Sequence, residues 1–246
     1  MPDSTLDGTS SGMEIVERAL AMYAACRTYS DEGEYVLSSP GVAGFGGFRD
    51  VRPFRTRFVR PGWVMFMFRA NAAPTEKKTP PEAFAMWTGG QPVPTPMRWW
   101  WNLSGRISEA EDVRIPIGAA TGISGGAAVL VLPTLLDLED FPGLLEALVD
   151  VRAMASEEAE ILGERVMCDV VHARHSAVLE EDLRLSFDRR SGLLVRVEQQ
   201  SGKDRETTSL RPRVDEDVSD DELVFVPPEG ARGTWWGRMV QRLFMS

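Results

Sequence analysis

The order of apolar and polar positions predicts a helix followed by strands. Within residues 15–26, apolar side chains recur at steps of three and four, while charged side chains occupy the other side. This spacing predicts an amphipathic helix, for which Ser10 or Ser11 supplies the N-cap. From Tyr29 onward the period becomes two, and a Gly- and Pro-rich stretch separates a first strand from a second at 54–60. The chain therefore enters an antiparallel sheet after its first helix.

Two predicted strands are apolar on both faces. In segment 63–69, one face carries Trp63, Met65 and Met67, and the other carries Val64, Phe66 and Phe68. Segment 97–102 contains three consecutive tryptophans, of which Trp99 and Trp101 share one face and Trp100 takes the other. Both faces of such strands have to be covered. The surplus predicts either a second covering layer or a cavity lined by aromatic side chains.

The middle of the chain loses the alternation, and the end regains a helical period. Leucine spacing within about 108–149 predicts a helical insert. Strands are then predicted at 151–161, 165–175, 182–188, 193–200, 205–212 and 223–226. We expect a flexible polar leader at 1–12, a single α+β domain at 13–231 and an amphipathic C-terminal helix at 232–246.

Composition narrows the classes of function. The chain has 246 residues and a formal net charge of −10, so it repels phosphate backbones and nucleic-acid binding is not expected. The longest apolar run ends at Pro133, far short of the ~20 residues of a membrane-spanning helix. The first residues have no pattern of a secretory signal, which predicts a cytoplasmic location for the sequence as written. Cys26 and Cys168 form at most one disulfide and are expected to be small buried side chains.

Three segments together resemble one family. The first runs from Phe54 to Arg69 and contains Phe-x-x-x-Phe and Arg60-Pro61-Gly62 before the aromatic strand. The second is Thr88-Gly89-Gly90 before the tryptophans, and the third is Phe225-Val226-Pro227-Pro228-Glu229-Gly230. In this order they resemble the LolA/LolB-like superfamily of lipoprotein carriers. The resemblance covers roughly residues 13–231.

The resemblance implies a fold and a function. The fold is a curved antiparallel sheet that forms an incomplete, half-open barrel covered by helices. Its concave apolar face would hold a lipid or acylated ligand without enzymatic chemistry or a cofactor, and the family works in the periplasm or cell envelope. Arg60 matches the arginine that latches the helical lid by hydrogen bonds. The cavity would be lined by Val64, Phe66, Phe68, Trp99 and Trp101.

A serine hydrolase is an alternative. Gly122-Ile123-Ser124-Gly125-Gly126 fits G-x-S-x-G, and Asp150 or Asp169 followed by His172 or His175 supplies the order of an α/β-hydrolase triad. The nucleophile elbow needs a strand before the serine, and residues 114–120 make a poor one. The second interpretation of the same five residues is a flexible Gly/Ser hinge.

Metal sites are weakly indicated. Cys168, His172 and His175 are zinc-type ligands, but in a strand only Cys168 and His172 share a face, and ordinary strand residues are expected. The acidic stretch 215–222 lacks the ligand spacing of an EF-hand loop, so we expect a solvated connection rather than a calcium site.

The sequence allows two alternatives for the core and two for the C-terminal helix. The same fold with a filled core would act as an interaction module rather than as a carrier. The C-terminal helix either docks on its own sheet or contacts an anionic membrane through Trp235, Trp236, Met239, Leu243 and Phe244, because arginines occupy its other face.

Overall fold

The computed structural model describes residues 11–40, 46–69, 82–88, 96–176 and 178–228. The first predicted helix is confirmed as α1, Gly12–Ala25. Ser11 is its N-cap: the Glu14 amide donates to Ser11 Oγ at 3.2 Å, and the Ser11 amide donates to Glu14 Oε2 at 2.7 Å. This reciprocal pair satisfies backbone donors that the first turn leaves free. The apolar side of α1, including Tyr23, is buried.

Thirteen strands of the described residues form one antiparallel sheet. Their bounds are β1 Thr28–Ser39, β2 Phe48–Val59, β3 Trp63–Arg69, β4 Glu82–Trp87, β5 Met97–Trp101, β6 Arg106–Ala110, β7 Leu148–Ala153, β8 Glu157–Ile161, β9 Glu164–His175, β10 Val178–Asp188, β11 Leu194–Ser201, β12 Asp204–Leu210 and β13 Arg213–Val214. The strand order is β6-β5-β4-β3-β2-β1-β12-β11-β10-β9-β7, with β13 beside β1 and β8 beside β9. In the described part β6 and β7 are the two ends of this order, so the sheet does not close.

Helices cover one face of the sheet. The insert between β6 and β7 contains α2 Arg114–Ser124, α3 Leu132–Leu135 and the 3-10 helices Ala127–Val129 and Leu145–Ala147. α2 contacts β4 and β5 near one end of the sheet, α1 contacts β7 and β9 near the other end, and α1 also contacts α3. The helices therefore fill the concave side of a curved, half-open sheet, which confirms the predicted fold class.

The strands that are apolar on both faces are covered on both faces. Val64, Phe66 and Phe68 lie in the main core with the helices. A separate cluster on the convex face joins Met65, Met67, Ala85, Trp87 and Trp100 to Phe225. The Phe225 ring centre lies 5.5 Å from that of Trp87 and 5.3 Å from that of Trp100. The surplus of apolar side chains thus belongs to a second covering layer on the outside of the sheet.

Some predicted elements differ from those observed. β2 begins at Phe48 rather than at residue 54, because β1 pairs with it along its whole length, from Ser39 opposite Phe48 to Thr28 opposite Val59. The predicted strand 151–161 is two strands, β7 and β8, which pair one after the other with β9.

The predicted strand 223–226 is wrong. A 3-10 helix, Asp220–Leu223, is followed by an irregular stretch across the convex face. There Phe225 gains burial by ring contact instead of by strand pairing. The acidic stretch before it is also more than a solvated connection, because Glu222 accepts a hydrogen bond from Arg57 Nε at 2.8 Å.

Candidate functional site

A cavity of about 220 Å³ lies between the concave face of the sheet and the chain that follows α2. Side chains of β1, β9, β10, β11 and β12 form one wall, and the helical insert forms the other. The lining residues are Tyr35, Gly125, Gly126, Val129, Leu130, Leu144, His175, Leu183, Val197, Gln199, Glu206 and Thr208. The insert therefore covers this part of the sheet in the way a lid covers a binding site.

The chemistry of this lining suits an amphipathic ligand. The leucines and valines give an apolar wall, while Tyr35, His175, Gln199, Glu206 and Thr208 add polar groups. An engineered apolar cavity of ~150 Å³ already accepts benzene, whereas pockets for drug-sized ligands occupy roughly 300–1,000 Å³. The observed volume has room for a small apolar group, such as the end of an alkyl chain, beside a polar head.

Two consecutive glycines form the turn over the cavity. Gly125 and Gly126 have φ angles of 64° and 89°, a region that favours glycine. The Gly126 amide donates to the carbonyl of Thr121 at 2.9 Å, which closes the end of α2. A Cβ on Gly125 would lie 2.3 Å from the ring of Tyr35, whereas a Cβ on Gly126 would meet nothing within 4 Å. Glycine at 125 thus allows the Tyr35 ring to pack directly against the turn.

Tyr35 lies near two charged side chains, those of Glu206 and Arg52. Burial, together with the nearby Glu206 carboxylate, raises the pKa of Tyr35 to about 12. The Arg52 guanidinium lies over the ring, 5.6 Å from its centre. Arg52 also donates to Asp50 at 2.6 Å and to the carbonyl of Ile123 at 3.0 Å. Because Ile123 belongs to α2, this arginine joins β2 to the insert.

No protein-family model matches the sequence, and no curated protein matches it. Solved structures similar to it include the MucA/MucB complex of Pseudomonas aeruginosa, at 13% identity and a TM-score of 0.41, over 87% of this chain and 61% of that chain. The Mycobacterium tuberculosis lipoprotein LppX is similar at 10% identity and a TM-score of 0.45, over 85% of this chain and 97% of that one. A LolA superfamily protein from Nitrosomonas europaea is similar at 6% identity and a TM-score of 0.35, over 88% and 99% of the two chains.

The matched structures include a LolA superfamily protein and a putative outer membrane lipoprotein-sorting protein domain, and this is the family that the sequence resembles. This chain spans about three fifths of the matched chain in the MucA/MucB complex.

Arg60, the predicted lid latch, holds α1. Its Nε donates to the carbonyl of Cys26 at 3.0 Å, and its Nη2 donates to the carbonyl of Tyr23 at 3.2 Å. These carbonyls belong to the end of the helix, where backbone acceptors are free and a positive charge is favourable. Among the described helices, α2 is instead held by Arg52. The proposed role of Arg60 in ligand exchange remains a prediction.

The predicted lining residues lie elsewhere on the same face of the sheet. Val64, Phe66 and Phe68 are buried in the main core. Trp99 is also buried there, and Trp101 packs against it from a partly exposed position. They lie under the same helical insert as the observed cavity, but different residues line that cavity. Their contact with a ligand remains a prediction.

Ser124 lacks the surroundings of a nucleophile. It is the last residue of α2 rather than the end of a strand, so the strand–turn–helix of a nucleophile elbow is not formed. Its side chain is fully buried, and its Oγ accepts a hydrogen bond from the Ala128 amide at 3.3 Å. The G-x-S-x-G letters therefore mark the end of a helix and the glycine turn over the cavity.

The other sequence candidates also have structural surroundings. Within the described residues, no group of three His, Cys, Asp or Glu side chains could hold a metal ion. Cys168 is a free, buried thiol in an apolar cluster, while His175 reaches the cavity on the other face of β9. Burial raises the pKa of the Cys168 thiol to about 11. Cys26 is likewise free and buried, so neither cysteine is in a disulfide.

No helix in the described part of the chain is long and apolar enough to cross a membrane. Trp235, Trp236, Met239, Leu243 and Phe244 lie outside the described residues. Docking of this segment on the sheet, or its contact with a membrane, remains a prediction.

Sequence reasoning missed the residues that form the cavity. Tyr35, Val197, Glu206 and Thr208 lie on strands far apart in sequence, and each is an ordinary residue for a strand. The one local signal was the Gly125-Gly126 pair, which the hinge reading of the G-x-S-x-G segment included. Two adjacent glycines after a helical pattern mark a change of chain direction, but they do not show which strand lies below.

Proposed function

We propose that this protein is a non-enzymatic binding protein that holds the alkyl part of a lipid or acylated ligand in the cavity under the Gly125-Gly126 turn. The observation that carries the proposal is the cavity itself. Leucine and valine side chains line it from both the sheet and the insert, and its polar side chains all come from the sheet. Buried alkyl surface contributes ~25 cal/mol per Å², so a short segment of chain is enough for reversible binding.

The helical insert provides a route by which the ligand enters the cavity. The turn at Gly125 and Gly126 can change its backbone angles at low cost, because glycine tolerates both halves of the φ range. Arg52 holds α2 down through one carbonyl and is itself paired with Asp50. A longer acyl chain would displace the insert from the sheet and would then contact Phe66 and its neighbours on β3.

A second candidate is the interaction module with a filled core. It is favoured by the tight burial of Val64 and Phe66, both with no exposed surface, and by a cavity smaller than the pockets of most small-molecule sites. Under this alternative the acidic surface or the C-terminal helix predicted from the sequence would contact another protein.

Native mass spectrometry of freshly purified protein, with lipid analysis of an organic extract, separates the two candidates. A co-purifying lipid, or uptake of an added fatty alcohol, supports the binding protein. Val197→Phe fills the cavity from β11 and is expected to reduce uptake at least about tenfold. The control Val226→Phe adds the same volume at a side chain that is 79% exposed.

Equal uptake by the wild type and both variants would remove the cavity from the proposal. A clean mass without ligand, and no uptake from added alcohols or phospholipids, would favour the interaction module. Thermal unfolding of each variant shows whether a loss of uptake has a trivial cause in misfolding.

A further inference from the structure

The polar side of the cavity contains one carboxylate, that of Glu206, besides the side chains of Tyr35, His175, Gln199 and Thr208. Glu206 and Thr208 lie on the same strand, and Tyr35 is paired with Thr208 on the neighbouring strand. An ionised carboxylate has about four acceptor positions and no donor. A single hydroxyl such as that of Tyr35 can use only one of these, so acceptor capacity remains at the edge of the cavity.

The cation nearest to Tyr35 is already neutralised. The Arg52 guanidinium lies over the Tyr35 ring, but its Nε donates to Asp50 at 2.6 Å and its Nη1 donates to the Ile123 carbonyl at 3.0 Å. Asp50 and Arg52 together add no net charge beside Glu206. An anionic headgroup at this edge would therefore meet Glu206 in a chain whose total charge is already −10.

We infer that the cavity selects a ligand whose headgroup donates hydrogen bonds and is uncharged or cationic, such as a hydroxyl, an amide or an ammonium group, and excludes a free carboxylate. This inference rests on the proposed function and names the class of ligand for the same site. The donating group would bind Glu206, while the alkyl chain lies between Val197 and the insert.

Three probes with the same heptyl chain test the inference: heptanol, heptylammonium and octanoate. Dissociation constants are measured by isothermal titration at one pH and one ionic strength. We expect heptylammonium and heptanol to bind at least about tenfold more tightly than octanoate, because a single like charge at a few ångströms in a partly wet site contributes on this scale. Equal binding of all three probes would overturn the inference but leave the binding function intact.

Two variants assign the selectivity to one residue. Glu206→Gln keeps the shape and one acceptor but removes the charge, so the affinity for octanoate should come to within about twofold of that for heptanol. Glu109→Gln removes the same charge at the far end of the sheet, where Glu109 pairs with Arg98 at 3.0 Å, and should leave the ranking unchanged. A ranking that changes equally in both variants would show that only net charge matters.

If Glu206→Gln does not fold, probe binding to the wild type at several salt concentrations tests the same inference. Repulsion from the whole surface is screened when the Debye length falls from ~10 Å at 0.1 M to ~3 Å at 1 M, whereas a contact at the headgroup is retained. Persistence of the preference against octanoate at high salt supports the inference, and its loss contradicts it. Failure of every probe to bind would instead reject the proposed function.

Discussion

Asp31 is a carboxyl group in the core of the protein. Only 2% of its surface is exposed, and it accepts hydrogen bonds from the Tyr29 hydroxyl at 2.7 Å and the Thr56 amide at 2.9 Å. Burial raises the pKa of Asp31 to about 6, although both hydrogen bonds act in the opposite direction. The desolvation of the charge therefore outweighs its partners. Tyr29 and Tyr23 pack edge to face beside it, with ring centres 5.7 Å apart.

The raised pKa of Asp31 predicts a pH dependence of stability. The unfolded pKa is 3.8, so the folded protein holds the proton more tightly, and this contribution is full below pH ~4 and lost as the pH rises through about 6. Two pKa units correspond to about 3 kcal/mol. Asp31→Asn should remove this component: the free energy of unfolding, measured in urea at pH 5 and pH 7.5, should differ less between the two pH values than in the wild type. An unchanged pH dependence in the variant would contradict the assignment.

At the scale of the element, α1 depends on a side chain from the sheet. Arg60 donates to the carbonyls of Tyr23 and Cys26 at the end of the helix. Arg60→Leu should lower the free energy of unfolding by about 1 to 3 kcal/mol, because charge-assisted hydrogen bonds and a favourable helix-end charge are lost. Chemical denaturation measures the loss. Arg98→Leu is the control, since this arginine is exposed and paired with Glu109, and it should change stability by less than about 0.5 kcal/mol.

The outer layer of the sheet depends on Phe225. Its ring contacts Trp87 and Trp100, and it is the one member of their buried cluster that comes from outside β3, β4 and β5 in the described chain. Phe225→Ala should lower the free energy of unfolding by about 2 to 4 kcal/mol and should change tryptophan fluorescence. Val226→Ala, at the neighbouring exposed position, should stay within about 0.5 kcal/mol of the wild type. Equal effects of the two substitutions would show that this segment does not pack on the sheet in solution.

At the scale of the whole molecule, the insert and the sheet are joined at few polar points. Arg52 links β2 to α2 through the Ile123 carbonyl, the Ser176 amide donates to the Ala147 carbonyl of the insert at 2.8 Å, and apolar side chains also join the insert to the sheet. Arg52→Gln should accelerate amide hydrogen exchange at the end of α2 and in the following turn by about five- to tenfold, since local opening costs less free energy. Exchange in the sheet core should be unchanged.

The control for this opening is Arg114→Gln. Arg114 pairs with Asp112 at the start of α2, at 2.8 Å, and does not contact the sheet through this pair. It should leave exchange at the other end of the helix unaffected. Uniform acceleration across the molecule in Arg52→Gln would show that the residue stabilises the whole fold rather than the position of the insert.

The local pattern determined the elements and their faces. The capped helix from Ser11, the β3 strand with bounds at Trp63 and Arg69, and the opposite faces of Trp99 and Trp100 are all confirmed. These features depend on neighbours within a few residues, so a single sequence contains the information. The half-open sheet was predicted from the family resemblance, and that resemblance depends on the order of three segments along the chain.

Only the tertiary structure decided what covers each apolar face and where space remains. The concave side of β3 is filled by the insert, its convex side is covered by Phe225, and the cavity lies farther along the sheet under Gly125. Tyr35, Arg52 and Glu206 meet there through pairing of β1 with β2 and with β12. Such meetings depend on register and on the fit of side-chain volumes between distant segments, and hydrophobic periodicity contains neither.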